Sequence, residues 1–220
     1  EMKEIIFSGG DPLTLSDDRL RKVLDTFSAI RRGPKSEESW DRPLVFRVAT
    51  RVPTALPLRI TTPLVRMLRA HVPLWVIMQI NHPEELSPEA EEGLRRLADG
   101  GVPVVSQTVL LRGVNDDPSL LARLFHTLLA LSVKPYYLFQ GDLASGTSHF
   151  RLPLPRAFEI VRSLRSLVSG LAMPVFAVDL PGGGGKKALH EDMKLEKEGD
   201  FFVFTGADGG KYRYPDESGN

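Results

Sequence analysis

The 220 residues include no cysteine. Disulfides are thereby excluded, as is any iron–sulfur or zinc–thiolate centre ligated by this chain alone. No charge of either sign is in excess, because 28 Lys and Arg stand against 28 Asp and Glu. Without a net field to gather nucleic acid or anionic lipid, a small molecule is the expected ligand, with no nucleic-acid and no membrane partner. No apolar run approaches the roughly 18 residues of a membrane span, and no cationic-then-apolar signal segment is present, so a cytoplasmic location is expected. A leading element is missing too. Glu1-Met-Lys-Glu4 runs straight into the apolar Ile5-Ile6-Phe7, and the sequence is therefore expected to be an excerpt of a longer protein.

What is present has a regular beat. Hydrophobic residues make up 42% of the chain, enough for the substantial core of one α/β domain or barrel piece. Pro43, Pro73, Pro103 and Pro135 each stand ahead of an apolar run, separated by 30, 30 and 32 residues. That spacing suits successive βα units, with proline at the first position of a strand. Thr62-Pro63, Ser87-Pro88 and Asp117-Pro118 each offer a capping oxygen followed by proline at the first helical position. Ser16 with Asp17 and Asp18 opens a further helix towards Ile30, residues 154–167 read as a fifth, and Gly100-Gly101 stops the third. The alternation predicts a parallel sheet with right-handed crossovers, either a partial barrel or doubly wound, with function at the carboxyl ends of the strands. Residues 31–42 read as a polar surface loop. Residues 201–204 and 211–214, flanking Gly206-Ala-Asp-Gly-Gly210, predict a β-hairpin.

Polar groups gather after the predicted strands: Ser8-Gly9-Gly10-Asp11, Thr50-Arg51, Gln79 to His82, Ser106-Gln107 and Gln140-Gly141-Asp142. The Ser8 to Asp11 turn can offer backbone groups and a carboxylate to a ligand, or simply turn the chain. Arg51 can grip phosphate, or pair with a surface acid. His82 can donate to a ligand, or serve the structure. Asp142 and Asp179 together suit a substrate ammonium, or cap loops. After the apolar residues 174–178 comes Asp179-Leu-Pro-Gly-Gly-Gly-Gly-Lys186. Four glycines fit a loop whose backbone approaches a ligand or takes positive φ, and Lys186 at its exit can clamp phosphate or act as a Schiff-base nucleophile. A flexible linker is the alternative.

The ordered set Phe7-Ser-Gly-Gly-Asp-Pro-Leu13, Thr50-Arg-Val-Pro53 with Leu56-Pro-Leu-Arg-Ile60, Asn81-His-Pro83, Gln107-Thr-Val-Leu-Leu-Arg-Gly-Val-Asn-Asp116, Pro135-Tyr-Tyr137, Gln140-Gly-Asp-Leu143, His149-Phe-Arg151 and Asp179 to Lys186 closely resembles the lysine 2,3-aminomutase family of radical S-adenosylmethionine enzymes. The resemblance implies a partial (βα) barrel over residues 1–170 lacking its first βα unit, and a lysine loop with a C-terminal hairpin extension over residues 171–220. It implies that Lys186 forms the aldimine with pyridoxal 5′-phosphate, that Ser8, Gly9, Gly10, Asp11, His82 and Gln107 contact S-adenosylmethionine, and that Arg51 lies near the pyridoxal phosphate. Asp142 and Asp179 match the carboxylates that hold the side-chain ammonium of substrate lysine. The implied reaction moves the amino group of L-lysine from C2 to C3, giving β-lysine by way of a 5′-deoxyadenosyl radical. A [4Fe-4S] cluster with ligands upstream of residue 1, a reductant and an amino-acid substrate are the implied partners, and a homo-oligomer is compatible with the family. No metal ligand is assigned within the chain. The family's zinc cysteines are absent around Asn115-Asp116-Asp117, and Gly141 stands where a cysteine is common, so zinc-dependent assembly is not expected. As it stands the excerpt is expected to be inactive. Two alternatives remain: a related aminomutase acting on another amino acid or on a lysyl residue of elongation factor P, and a non-catalytic, cysteine-free binding barrel.

Overall fold

The computed structural model describes residues 3–31 and 44–216. The polar loop read at 31–42 falls, after its first residue, outside the described residues, as does Pro43. The described residues form two compact units, the first of those within 3–80, 84–106 and 130–133, the second of those within 81–83, 107–129 and 134–216.

In the first unit β1 (Glu4–Phe7), β2 (Val45–Thr50), β3 (Leu74–Gln79) and the start of β4 (Val104–Val109) follow one another in chain order. β1, β2 and β3 are parallel, in a register that sets Ile5 beside Phe46 and Phe46 beside Leu74. Between the strands run α1 (Asp17–Arg31), the single turn α2 (Val52–Ala55), α3 (Thr62–Ala70) and α4 (Pro88–Asp99). Phe46, Val48, Val76 and Met78 of the strands are fully buried, together with Leu20 and Leu24 of α1, Leu64 and Leu68 of α3, and Leu94 and Leu97 of α4. Burial of each such side chain stabilises the fold by about 1.5–3 kcal/mol. Ser87 caps α4 as its sequence predicts, its hydroxyl accepting from Ala90 N at 3.2 Å. For α3 the cap is Thr61, not Thr62: the Thr61 hydroxyl accepts from Leu64 N, which puts Thr62 inside the helix and Pro63 second. Arg59 fastens the loop after β1, donating to the carbonyls of Leu13 and Leu15 and pairing with Asp17.

In the second unit the end of β4, then β5 (Val133–Phe139), β6 (Val175–Leu180) and β7 (Gly185–Ala188) again follow chain order. β5 and β6 are parallel, whereas β7 turns back antiparallel on β6, which the expectation of a parallel sheet did not include. α5 (Pro118–Ala130) starts at Asp117, whose carboxylate accepts from Leu120 N at 2.8 Å, and α6 spans Leu154–Leu167 as predicted. Pro135 does not precede β5 but lies within it. The strand already begins at the fully buried Val133, and the carbonyl that proline retains accepts from Lys134 Nζ. The predicted hairpin is β9 (Phe201–Thr205) with β10 (Lys211–Pro215), joined by the short β8 (Glu196–Glu198) in a separate antiparallel sheet. Buried Glu191, after β7, is gripped by Arg165 of α6, whose Nε and Nη2 donate one to each carboxylate oxygen, and Arg162 adds a bond to its carbonyl. No helix among the described residues is long and apolar enough to cross a membrane.

Candidate functional site

Each unit gathers polar groups where its strands end. In the first, Ser8, Gly9, Asp11, Thr50, Arg51 and Gln79 line a cavity of about 380 Å³ beyond β1, β2 and β3. Gly9 has φ +104°, and a Cβ placed on Gly9 or Gly10 would meet nothing within 4 Å, so bare backbone borders open space there. Asp11 is heavily engaged. One carboxylate oxygen accepts from Leu13 N at 3.0 Å and Thr50 Oγ1 at 2.7 Å, the other from Arg51 N at 2.6 Å, which ties the loop after β1 to the end of β2. The Arg51 guanidinium pairs with Glu85 at 2.8 Å, the surface-acid alternative raised by its sequence.

The second cluster follows from strand register. In the β6–β7 pair Asp179 lies directly opposite Lys186, close enough for their side chains to meet. Lys186 Nζ donates to both carboxylate oxygens of Asp179, at 2.9 and 2.8 Å, and lies 4.9 Å from the centroid of the Phe139 ring. Phe139 stacks on Tyr137 at 5.0 Å. Both partners of the pair are partly exposed, at 48% and 39% of their side-chain surface, so the contact is worth only about 0.2–1 kcal/mol and opens readily for a competing ligand. Asp142 joins from the end of β5. Burial first, and the Asp179 carboxylate second, push the Asp142 carboxyl above its ordinary value, while the Lys186 ammonium pulls the other way. Two carboxylates and one ammonium therefore share one electrostatic neighbourhood. Lys187, next along β7, faces elsewhere and lines a smaller cavity with Met193 and Thr205.

The four glycines are accounted for one by one. Gly182, Gly183 and Gly185 have φ of +67°, +87° and +74°, and a Cβ on any of them would meet nothing within 4 Å. Gly184 is needed for the opposite reason, since a Cβ there would lie 2.6 Å from Tyr212 Cγ and 2.8 Å from Leu180 Cβ. The stretch is thus a shaped loop and not a slack linker. It presents bare backbone on its open side.

His82 and Gln107 are half-buried, His82 beyond β3 and Gln107 in β4. Their segments are joined by Asn81, whose Oδ1 accepts from Val109 N at 2.9 Å, and by fully buried Asn115, whose Nδ2 donates to the carbonyls of Asn81 and Val109. Sequence reasoning assigned no role to Asn81, Asn115, Phe139, Tyr212 or Tyr214. Both asparagines stand inside the quoted blocks, which was the available signal.

No family model matches the chain. It is 43% identical over 186 residues to an L-lysine 2,3-aminomutase of Fusobacterium nucleatum, covering 84% of this chain and 41% of that protein. With a putative L-lysine 2,3-aminomutase of Treponema pallidum the identity is 44% over 219 residues, 97% of this chain and 59% of the relative. A glutamate 2,3-aminomutase of Clostridioides difficile is 35% identical over 217 residues, 49% of its length. The chain spans about half the length of the curated relatives it matches. Among solved structures, Streptococcus suis SuiB bound to S-adenosylmethionine superposes with a TM-score of 0.57 at 12% identity, over 89% of this chain and 42% of that one. A domain of pyruvate-formate lyase-activating enzyme from Bacteroides vulgatus gives 0.53 at 15% identity, over 78% and 97%. At these identities the likeness carries the fold, an α/β partial (βα) barrel of the radical S-adenosylmethionine type.

Proposed function

We propose that this chain is the barrel portion of a lysine 2,3-aminomutase, an isomerase that moves the amino group of L-lysine from C2 to C3 to give β-lysine. The observation that carries the reading is the cluster of Lys186, Asp179 and Asp142, in a chain similar over nearly its whole length to aminomutases named above. Bare glycine backbone beside an accessible lysine amine fits pyridoxal 5′-phosphate, and the cavity bordered by Ser8, Gly9 and Asp11 fits part of S-adenosylmethionine. When bound, these two groups supply a carbonyl with its conjugated ring and the source of a carbon-centred radical. The chain has no thiolate and cannot itself hold a [4Fe-4S] cluster.

The chain's own residues then divide the work. Lys186 would hold the cofactor through its side-chain amine, which would take the ammonium away from Asp179. Asp179 and Asp142, two carboxylates in one electrostatic neighbourhood, would then suit a substrate ammonium. A substrate carboxylate in the same place would meet two like charges, and this is why lysine is preferred to glutamate. Phe139 presents its ring face to the amine, 4.9 Å from its centroid.

The full-length protein, supplied with both cofactors and a reductant, should convert L-lysine to β-lysine, followed by NMR of the products. The Asp142→Asn, Asp179→Asn double variant should lose at least about 100-fold in kcat/KM on lysine, the scale of removing two charge-assisted contacts. Retained activity in that variant, or turnover of glutamate by the unaltered protein, would overturn the substrate assignment. Borohydride reduction of protein loaded with pyridoxal phosphate should label Lys186; label on Lys187 would refute the choice between them.

A further inference from the structure

The β8–β9–β10 sheet has no part in the chemistry, yet β10 touches the backbone next to the charged cluster twice. Tyr214 is 1% exposed and donates its hydroxyl to the carbonyl of Gly141 at 2.7 Å, the residue immediately before Asp142. Tyr212, two positions earlier on the strand, lays its ring against Gly184 so closely that no Cβ could fit between them. The ring is itself anchored, since the Tyr212 hydroxyl donates to Asp208 at 2.7 Å and the other Asp208 oxygen accepts from Gly210 N at 2.9 Å. Buried Phe202 and Phe204 of β9, paired with Tyr214 and Tyr212, fix the strand's register. The Gly141 side is equally confined, because a Cβ there would lie 2.9 Å from Arg151 Cγ, and Arg151 Nη1 donates to the Asp142 carbonyl at 3.2 Å.

A sheet that merely covered apolar surface would bring apolar side chains alone. Here a buried phenol, costly to leave unpaired, is satisfied outside its own sheet, on the backbone that carries Asp142. A second ring of the same strand bears on the loop leading to Lys186. The two contacts meet segments that are far apart in sequence, after β5 and between β6 and β7.

We propose that β10 is a positioning element, Tyr214 and Tyr212 together setting where Asp142 stands relative to Asp179 and Lys186 and so the grip of the carboxylate pair on an ammonium ion. The proposal rests on the aminomutase reading only for the identity of that ion. The tyrosines act through other residues and touch no reacting atom.

The test uses the full-length protein and the variant Tyr214→Phe, which removes one oxygen and keeps the ring. Without cofactor, 13C NMR titration follows the Asp142 carboxyl, which Asp179 and Lys186 influence and whose backbone carbonyl Arg151 holds; its midpoint should fall towards that of an ordinary aspartate as the segment moves away from Asp179. With cofactors, KM for lysine should rise about fivefold to tenfold while kcat stays within about twofold, the scale of one hydrogen bond. An unchanged Asp142 midpoint in Tyr214→Phe, with only a lower melting temperature, would overturn the proposal and leave the hairpin a cover. Should Tyr214→Phe fail to fold, Tyr212→Leu carries the same titration, because it removes the ring over Gly184 and leaves the β9–β10 pairing. If the unaltered protein does not act on lysine, the aminomutase reading fails while the Asp142 titration still decides the role of β10.

Discussion

Asp142 meets opposing demands of stability and binding. Its carboxyl is held above the ordinary aspartate value by burial and by Asp179, so folding favours the protonated form. That contribution is complete below the unfolded value and is lost as pH rises through the folded one. Asp142→Asn should therefore be more heat-stable than the parent at pH 7 and indistinguishable from it near pH 3, as thermal unfolding at the two pH values will read. The same variant should bind lysine more weakly at pH 7, because the lost ionised form is the one that attracts an ammonium. A variant destabilised at pH 7 would show that the carboxylate is a structural cap. The residue types at 142, 179 and 186 are legible in the sequence, since each stands beside an apolar strand. Their mutual placement is not, because it depends on the antiparallel register of β6 and β7. Asp11 shows the limit as well: its bond to Thr50 joins positions 39 apart, and nothing local announces it.

At the scale of elements, the glycine loop and the α6 clip make separable predictions. Gly184→Ala forces a Cβ into Tyr212 and Leu180 and should cost about 1–3 kcal/mol, the range for overpacking. Gly183→Ala meets no atom and should cost about 1–2 kcal/mol from its positive φ alone. Denaturant unfolding of the two variants separates collision from strain, and Gly184→Ala alone should be partly relieved by Tyr212→Ala, which removes the Cγ and Cδ1 atoms and leaves only the contact with Leu180. The Arg165 guanidinium beside Glu191 lowers its carboxyl to about 2, with backbone bonding assisting against the opposing effect of burial. Its stabilising effect is present above the unfolded value near 4.5 and disappears as pH falls from there towards 2. Glu191→Gln should cost about 1–2 kcal/mol at pH 7, allowing for the half-exposed Arg165, and much less near pH 2, again by denaturant unfolding. Helix starts were the most legible elements, since Ser87 and Asp117 bond within three residues of themselves. Thr61 and Thr62 offer the same oxygen side by side, and composition cannot choose between them. Proline spacing misplaced the start of β5 because the burial of Val133, not the ring of Pro135, sets that boundary.

For the molecule as a whole, the sheet's first strand is the exposed point. Among the described residues β1 pairs only with β2, and its Ile6 is 51% exposed. Unpaired strand edges template association. The 220 residues should therefore self-associate, and sedimentation velocity should find a distribution of oligomers; a single monomeric species would count against this. The βα alternation behind that sheet was legible from chain punctuation alone, whereas β7, β8 and the reach of β10 were not, for they depend on contacts between distant stretches. The cross-strand pairing of Lys186 with Asp179 has a consequence for how such a protein diversifies. On the proposed reading, in which Lys186 anchors the cofactor and Asp179 contacts the substrate, the two lie on opposite strands of one turn, held at fixed separation by the ladder between them. A single codon change at position 179 would then alter which amino acid is accepted while the proposed anchor stays where it is, so substrate preference could drift under selection without the cofactor chemistry being invented anew.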